Sequence, residues 1–337
     1  QLPQRQSRWL QTFGHSDDLH GTNLSRQRPA RFIGTRMRFT LEIGGYRIAV
    51  NEPRDHPILL WPLRPFDVFL VDNHNPADVT VSAAVVPTLP DLPTDRLRFD
   101  SDHGHWKLFE SGGHLVLDSL SPKTGVSRAR ARLSPDYRQV EAWVLPDFQN
   151  GQVGWSPMHL FNPILEVCLL SILARDGGIL LHASGLTYQE TGFVFTGASG
   201  TGKSTLAGWF AGQGARVLSD ERMIMRRTFS SVTLYGTPWI GSGEFAANAS
   251  APLSRLFCIR HGQDRHRFEP LPASRIVAFL LQQTFLPYWD RTAMDATVDS
   301  LIALTGQVPC IGLACLKNPD VVDAIMDHQR TASFTAV

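Results

Sequence analysis

Between residue 36 and about residue 148, apolar residues come in short runs divided by Pro, Gly and Asp, and in several runs they alternate with polar ones. Segments 37–43, 68–71, 79–81, 106–109, 114–117 and 140–144 read as strands, because a period of two sends successive side chains to opposite faces of a sheet. Near residue 160 the rhythm changes. Asn162 suits an N-cap and Pro163 the first helical position, and Ile164, Leu165, Val167, Cys168, Leu169, Ile172 and Leu173 make a broad apolar face that Gly177-Gly178 ends. Beyond it the pattern predicts a strand at 179–183 with a turn-linked partner at 185–188, a strand at 192–196, and a helix opening at 205. Further strands are expected at 215–218, 256–259 and 311–316, with helices from 275 to about 285 and after Asn318-Pro319. Strands joined both by tight turns and by helices form a mixed sheet. The expected architecture is α/β: a polar arm at 1–30, a mostly β domain at 31–155 and a mixed-sheet domain at 156–330.

The whole-chain quantities narrow the class. With 337 residues and 43% hydrophobic content, the chain can bury a substantial core. A net charge of +1 gives no reason to expect nucleic acid as a partner. No run approaches the roughly 18 apolar residues of a membrane helix, and the opening segment QLPQRQSRWLQTF lacks a secretory apolar core, so a cytoplasmic protein is expected. A homo-oligomer is compatible with all of this. Cys168, Cys258, Cys310 and Cys315 lie in apolar surroundings without C-x-x-C spacing and read as reduced, buried thiols.

Two polar patterns in the first half invite chemistry. Arg128, Arg130 and Arg132 alternate with small residues and would share one strand face, which reads first as a solvated face and second as a site for an acidic peptide or phosphate. His103, His105 and His114 lack a Cys or carboxylate at a spacing that would complete a tetrahedral metal set.

The strongest chemical signal is GASGTGKS at 197–204, following an apolar strand and opening a helix. Glycines let backbone N–H groups turn inward around phosphate oxygens, the helix N-terminus favours an anion, and a lysine reaches the outer phosphates. Gly197, Ala198, Ser199, Gly200, Thr201, Gly202, Lys203, Ser204 and Thr205 are therefore the expected ATP-binding residues, with Ser204 as a ligand to Mg2+. The strand at 215–218 ends in Ser219-Asp220-Glu221, so two carboxylates stand at a strand terminus, where ligands meet such sheets. One can hold magnesium and accept a proton from an attacking hydroxyl. Neighbours on a strand diverge, and Asp220 is the expected one of the pair. His182, at the end of the preceding strand, can orient that carboxylate through a hydrogen bond.

Taken together, LLHAS with His182, GASGTGKST, LSDER and YGTPWIGSGEFAANASAPL resemble the C-terminal domain of HPr kinase/phosphorylase and its relatives, whose fold is similar to phosphoenolpyruvate carboxykinase. The resemblance covers roughly 160–330. It implies a P-loop catalytic domain that phosphorylates a serine of a protein or peptide from ATP and Mg2+, with His182, Asp220, Glu221 and Lys203 as the catalytic group. It also implies that 236–244 is an active-site loop, with Glu244 and Asn248 as metal, nucleotide or substrate contacts. Arg265 and Arg267 can clamp a phosphoryl group from an expected hairpin. The acidic pair of the bacterial enzyme is two aspartates and a Glu follows its loop serine, whereas this chain has Asp220-Glu221 and Thr205. Residues 1–150 carry no resemblance to that enzyme's N-terminal domain. The likeness extends to kinases of ribosomally made peptides, including lasso-peptide precursors, for which the β domain would read the substrate. A small-molecule alcohol kinase and a nucleotide-gated binding protein without phosphoryl transfer are the alternatives.

Overall fold

The computed structural model describes residues 37–52, 62–101, 104–149, 152–154 and 158–334. The arm at 1–30 and His103 lie outside these residues.

The first half builds one nine-stranded sheet. Its strands are β1 (Met37–Ile43), β2 (Tyr46–Glu52), β3 (Leu70–Val71), β4 (Val79–Val85), β5 (Arg96–Asp100), β6 (Trp106–Ser111), β7 (His114–Leu120), β8 (Ser127–Leu133) and β9 (Gln139–Val144), in the order β3-β1-β2-β4-β9-β8-β7-β6-β5. Neighbours are antiparallel except β2–β4 and β4–β9, which are parallel. The apolar run at 68–71 is a strand only in its second half. Phe66–Phe69 coil into a short 3-10 turn that buries both phenylalanines. Strands β10 (Asp147–Gln149) and β11 (Gln152–Gly154) make a small separate hairpin.

Helix α1 (Leu165–Arg175) follows a wide turn at Leu160–Ile164, so it starts later than the Asn162-Pro163 signal suggests. Asn162 is extended, with φ −151° and ψ 116°, and no side chain caps the helix. Every residue from Leu165 to Ala174 is buried, which marks a helix enclosed on all sides. One continuous apolar cluster joins the first sheet (Leu41, Ile48, Val81, Leu117) to α1 and to Leu180, Ile224, Phe285 and Trp289 of the second half.

The second half is a mixed sheet built on β12 (Gly178–Tyr188), β13 (Thr191–Thr196), β14 (Arg216–Ser219), β15 (Arg222–Arg227), β16 (Val232–Tyr235), β17 (Ser250–His261), β18 (Arg267–Pro270) and β19 (Cys310–Cys315). Strands β12, β15, β16, β17 and β13 pair in succession, and β13 pairs back to β12, which closes a ring. The segments expected as two turn-linked strands at 179–188 are one strand, β12, eleven residues long. Strands β13, β17 and β19 are mutually parallel and end on the same side.

Helix α2 (Lys203–Gly212) packs Leu206, Ala207 and Phe210 against Phe193, Phe195 and Phe257, and each such ring stabilises the fold by about 1.5–3 kcal/mol. Helix α3 (Ala273–Leu281) stops short of the expected 285, because Gln283 to Phe285 straighten and add to β12. Helices α4 (Arg291–Gln307) and α5 (Val321–Phe334) complete the chain. Among the described residues no helix is long and apolar enough to cross a membrane.

Several sequence candidates meet partners inside the fold. Arg128 donates to the Pro146 carbonyl, Arg130 to Asp118 and to the Pro90 carbonyl, and Arg132 to Glu141. Among the described residues no group of three or more His, Cys, Asp and Glu side chains is arranged to hold a metal. The hairpin expected around Arg265 and Arg267 does not form, since β18 pairs with β19. Arg265 is exposed, and Arg267 bonds Asp264 at 2.7 Å. All four cysteines are free, and burial pushes the thiols of Cys258 and Cys310 up to about 12.

Candidate active site

The three parallel strands β13, β17 and β19 deliver their C-terminal ends to one cavity of about 540 Å3. The glycine loop follows β13, His261 ends β17, and Cys315, Leu316 and Lys317 follow from β19. Placement of a ligand beyond strand C-termini is the general rule for such sheets. The size suits a small molecule or nucleotide.

The loop owes its path to backbone chemistry. Gly200 and Gly202 sit at φ +80° and +96°, values that residues with a Cβ rarely adopt. Thr201 closes the turn, its hydroxyl donating to the Ala198 carbonyl at 2.7 Å. Lys203 is only 6% exposed, and its Nζ donates to the Gly197 carbonyl at 3.0 Å. Ser199 to Thr205 line the cavity, whereas Gly197 and Ala198 stand behind it. The first turn of α2 presents N–H groups that have no acceptor within the helix, and Gly202 supplies no side-chain cap. The cavity thus gains a positive edge before any side chain is counted.

Opposite the loop, β14 and β15 run along the same strand, β12, and the chain bends between them at Asp220-Glu221. Both carboxylates reach the Gly241 backbone, but they take different partners. Asp220 is fully buried and accepts from the N–H of Gly241 (2.9 Å) and of Gly243 (2.6 Å). It therefore holds the 236–244 loop. Glu221 turns into the cavity, where its Oε1 lies 3.4 Å from His182 Nε2. The hydrogen bond expected between His182 and Asp220 is made to Glu221 instead. Register explains this: His182 pairs with Arg222 across the ladder, and Ala183 N–H donates to the Glu221 carbonyl, so Glu221 is the acid beside the imidazole.

Burial acts to raise the Glu221 pKa. The His182 hydrogen bond and the charges of His182, Arg222 and Lys203 outweigh it, and hold the carboxyl below its usual value. Glu221 is an anion at neutral pH. His182 is itself fixed by its backbone, with its N–H donating to the Gln283 carbonyl at 2.8 Å and its carbonyl accepting from the Thr196 hydroxyl at 2.9 Å. Thr196 is the residue just before the glycine loop, so one short network spans both walls.

Arg222 is buried at the edge of the cavity. It bonds Glu166 of α1 at 2.6 Å, and its guanidinium lies 4.9 Å from the Phe285 ring centroid. The ionisable lining comprises Lys203, Arg222, Lys317, His182 and His261 against one carboxylate, Glu221, apart from thiols. Since Glu166 already pairs Arg222, the lysines Lys203 and Lys317 against Glu221 leave an excess that favours an anion. Cys315 also lines the cavity, but burial raises its pKa, which leaves a neutral thiol rather than a nucleophilic thiolate.

Of the remaining candidates, Glu244 is exposed and Asn248 half-buried, and neither lines the cavity. From that loop the cavity receives Ser242. Ser242 lies in the 236–244 loop expected at the site, whereas Arg222, His261, Lys317 and the Gln282–Phe285 wall were not expected to line it. Lys317 directly follows the apolar run 311–316, which was its available signal, whereas His261 stands behind Arg260 in the chain. Nothing local marked the wall, which exists only because it docks on β12.

No protein-family model matches the sequence, and no curated protein matches it. Among solved structures, the HPr(Ser) kinase/phosphatase from Coxiella burnetii aligns over 46% of this chain and 97% of its own, at 14% identity and a TM-score of 0.28. A likeness that weak decides nothing about residues or chemistry.

Proposed function

We propose that the protein is a kinase that transfers the γ-phosphoryl group of ATP to a serine-type hydroxyl of a protein or peptide. The observation that carries this reading is a single cavity with the glycine loop and Lys203 on one wall and the His182–Glu221 pair on the other. The loop amides, the start of α2 and Lys203 bind and neutralise the phosphates. Glu221 orients the acceptor hydroxyl and takes its proton as the bond to phosphorus forms, and His182 holds that carboxylate in place. Asp220, with both oxygens committed to Gly241 and Gly243, acts as a positioning residue.

The residues also suit Mg2+, which is commonly held by one or two carboxylates together with the substrate's own phosphates. Ser204 and Glu221 would hold it, and it would supply charge neutralisation at the phosphates. Glu244 and Asp220 are poorly suited, the first being exposed and the second buried in its own bonds. The choice of a polypeptide acceptor rests on the nine-stranded sheet, whose core is continuous with Phe285 of the cavity wall and which would read the substrate beside the site.

The test is incubation with labelled ATP, Mg2+ and a panel of peptides and small alcohols, using wild type, Lys203→Ala and Glu221→Gln. Label on peptide serine in the wild type alone is the expected result. Label on alcohols only moves the acceptor to the small-molecule class, and unchanged transfer by either variant overturns the mechanism.

A further inference from the structure

We propose that Ser242 is itself a phosphoryl acceptor, so that the protein phosphorylates its own loop when no external hydroxyl occupies the cavity. The inference rests on the kinase reading above and assigns that site a modification of its own. Three observations carry it. Ser242 is the residue of the 236–249 connection that lines the cavity containing the glycine loop, His182 and Glu221. Its backbone is fixed from both sides, since Gly241 and Gly243 donate to the two oxygens of fully buried Asp220. A methyl group added at Gly241 would stand 3.0 Å from Glu221 Oε2, so the main chain beside Ser242 runs against the carboxylate proposed as base.

The arrangement is that of a tethered substrate. The bonds that hold the loop are made by backbone N–H groups and leave the Ser242 hydroxyl out of them, and the residue is exposed. Gly243 allows the close approach, because a Cβ there would lie 2.7 Å from Asp220 Oδ2. A hydroxyl delivered this way reacts without the entropy cost of a second molecule. In the step, Ser242 Oγ bonds to the γ-phosphorus of ATP, and the bond from that phosphorus to the β–γ bridging oxygen breaks. ADP leaves with the electron pair, and the hydroxyl proton passes to Glu221.

The experiment incubates the full chain with ATP and magnesium chloride and no other acceptor, and follows intact mass with fragment mapping. We expect one added phosphoryl group on Ser242, formed with a first-order rate that does not change with protein concentration. Ser242→Ala should bring the gain in mass down to background, and Ser242→Thr, which keeps a hydroxyl, should restore it. An excess of Lys203→Ala chains mixed with wild type should stay unmodified. Calorimetry with ATP and transfer to an external peptide are measured in parallel. ATP uptake and peptide transfer without phosphate on Ser242, or phosphate at another residue only, would overturn the inference and leave the kinase reading intact. Labelling of the Lys203→Ala chains would overturn the intramolecular route. Failure to take up ATP would overturn both.

Discussion

The two halves of the molecule use charge in opposite ways. In the nine-stranded sheet, the arginine row of β8 is absorbed by nearby acceptors, with Arg130 on Asp118 and the Pro90 carbonyl and Arg132 on Glu141. Beside the ring of β12, β13, β15, β16 and β17, Lys203, Lys317 and Arg222 share one space with a single lining carboxylate, Glu221, and Arg222 is held from behind by Glu166. A row of like charges on a strand is thus weak grounds for a binding site, because the pleat sets each charge next to the acids and carbonyls of its neighbours. Around the cavity the charged groups also have partners, with Arg222 on Glu166 and Lys203 on the Gly197 carbonyl, yet they line one common space.

That contrast can be broken most sharply at Glu221. Glu221→Gln should lower phosphoryl transfer about 10²- to 10⁴-fold, the range for loss of a positioned base, while ATP uptake by calorimetry persists. An equal loss of ATP uptake would show that this carboxylate serves binding and not chemistry. Next comes the seam between the halves. Glu166→Ala strands the buried guanidinium of Arg222, and should cost about 3–5 kcal/mol in denaturant unfolding. A loss near 1 kcal/mol would mean that water reaches Arg222. Asp290 caps α4 through Ala293 N–H at 3.1 Å, and Asp290→Ala should cost about 1 kcal/mol of stability with transfer unaffected. Arg132→Ala on the exposed pair with Glu141 should change stability by no more than about 0.5 kcal/mol and transfer not at all. A clear loss of peptide transfer there would mean that the arginine row reads the acceptor after all.

Acid provides a finer test of the same contrast. The folded-state pKa of Glu221 lies below its unfolded value, so the stability it lends is full above about pH 4.3 and disappears as pH falls through the folded value. Between about pH 5 and 3, unfolding measurements should show wild type losing more stability than Glu221→Gln. Parallel curves would mean that the carboxylate is not held by His182 and its cationic neighbours.

How much of this was legible depended on how local each determinant is. The glycine loop is written in consecutive residues, and its strand, turn and helix order followed from them. Strand β12 looked like two because Gly185 interrupts its apolar run. The structure gives the reason: a Cβ there would stand 2.5 Å from the Met223 methyl, so the glycine serves packing and not a turn. Helix α4 went unread since its buried positions include Thr297 and Ser300, which blur the apolar stripe. At Asp220-Glu221, alternation led to the expectation that Asp220 would be the acid facing the ligand, whereas Glu221 is the one that lines the cavity. Which one would enter the cavity was set by a bend and by the distant loop that claims Asp220, and neither is encoded beside them.

The ring of strands has a dynamic consequence. Because β13 pairs back to β12, none of its five members is a free edge, and opening any one requires two ladders to part together. Amide hydrogens on β12 and on the β13 stem of the glycine loop should therefore exchange with solvent slowly and as a block. The tip at Phe229, which is 99% exposed, should exchange at once. The strand framework behind the cavity would then move as one body, and any opening that widens the cavity must come from the loops outside the hoop.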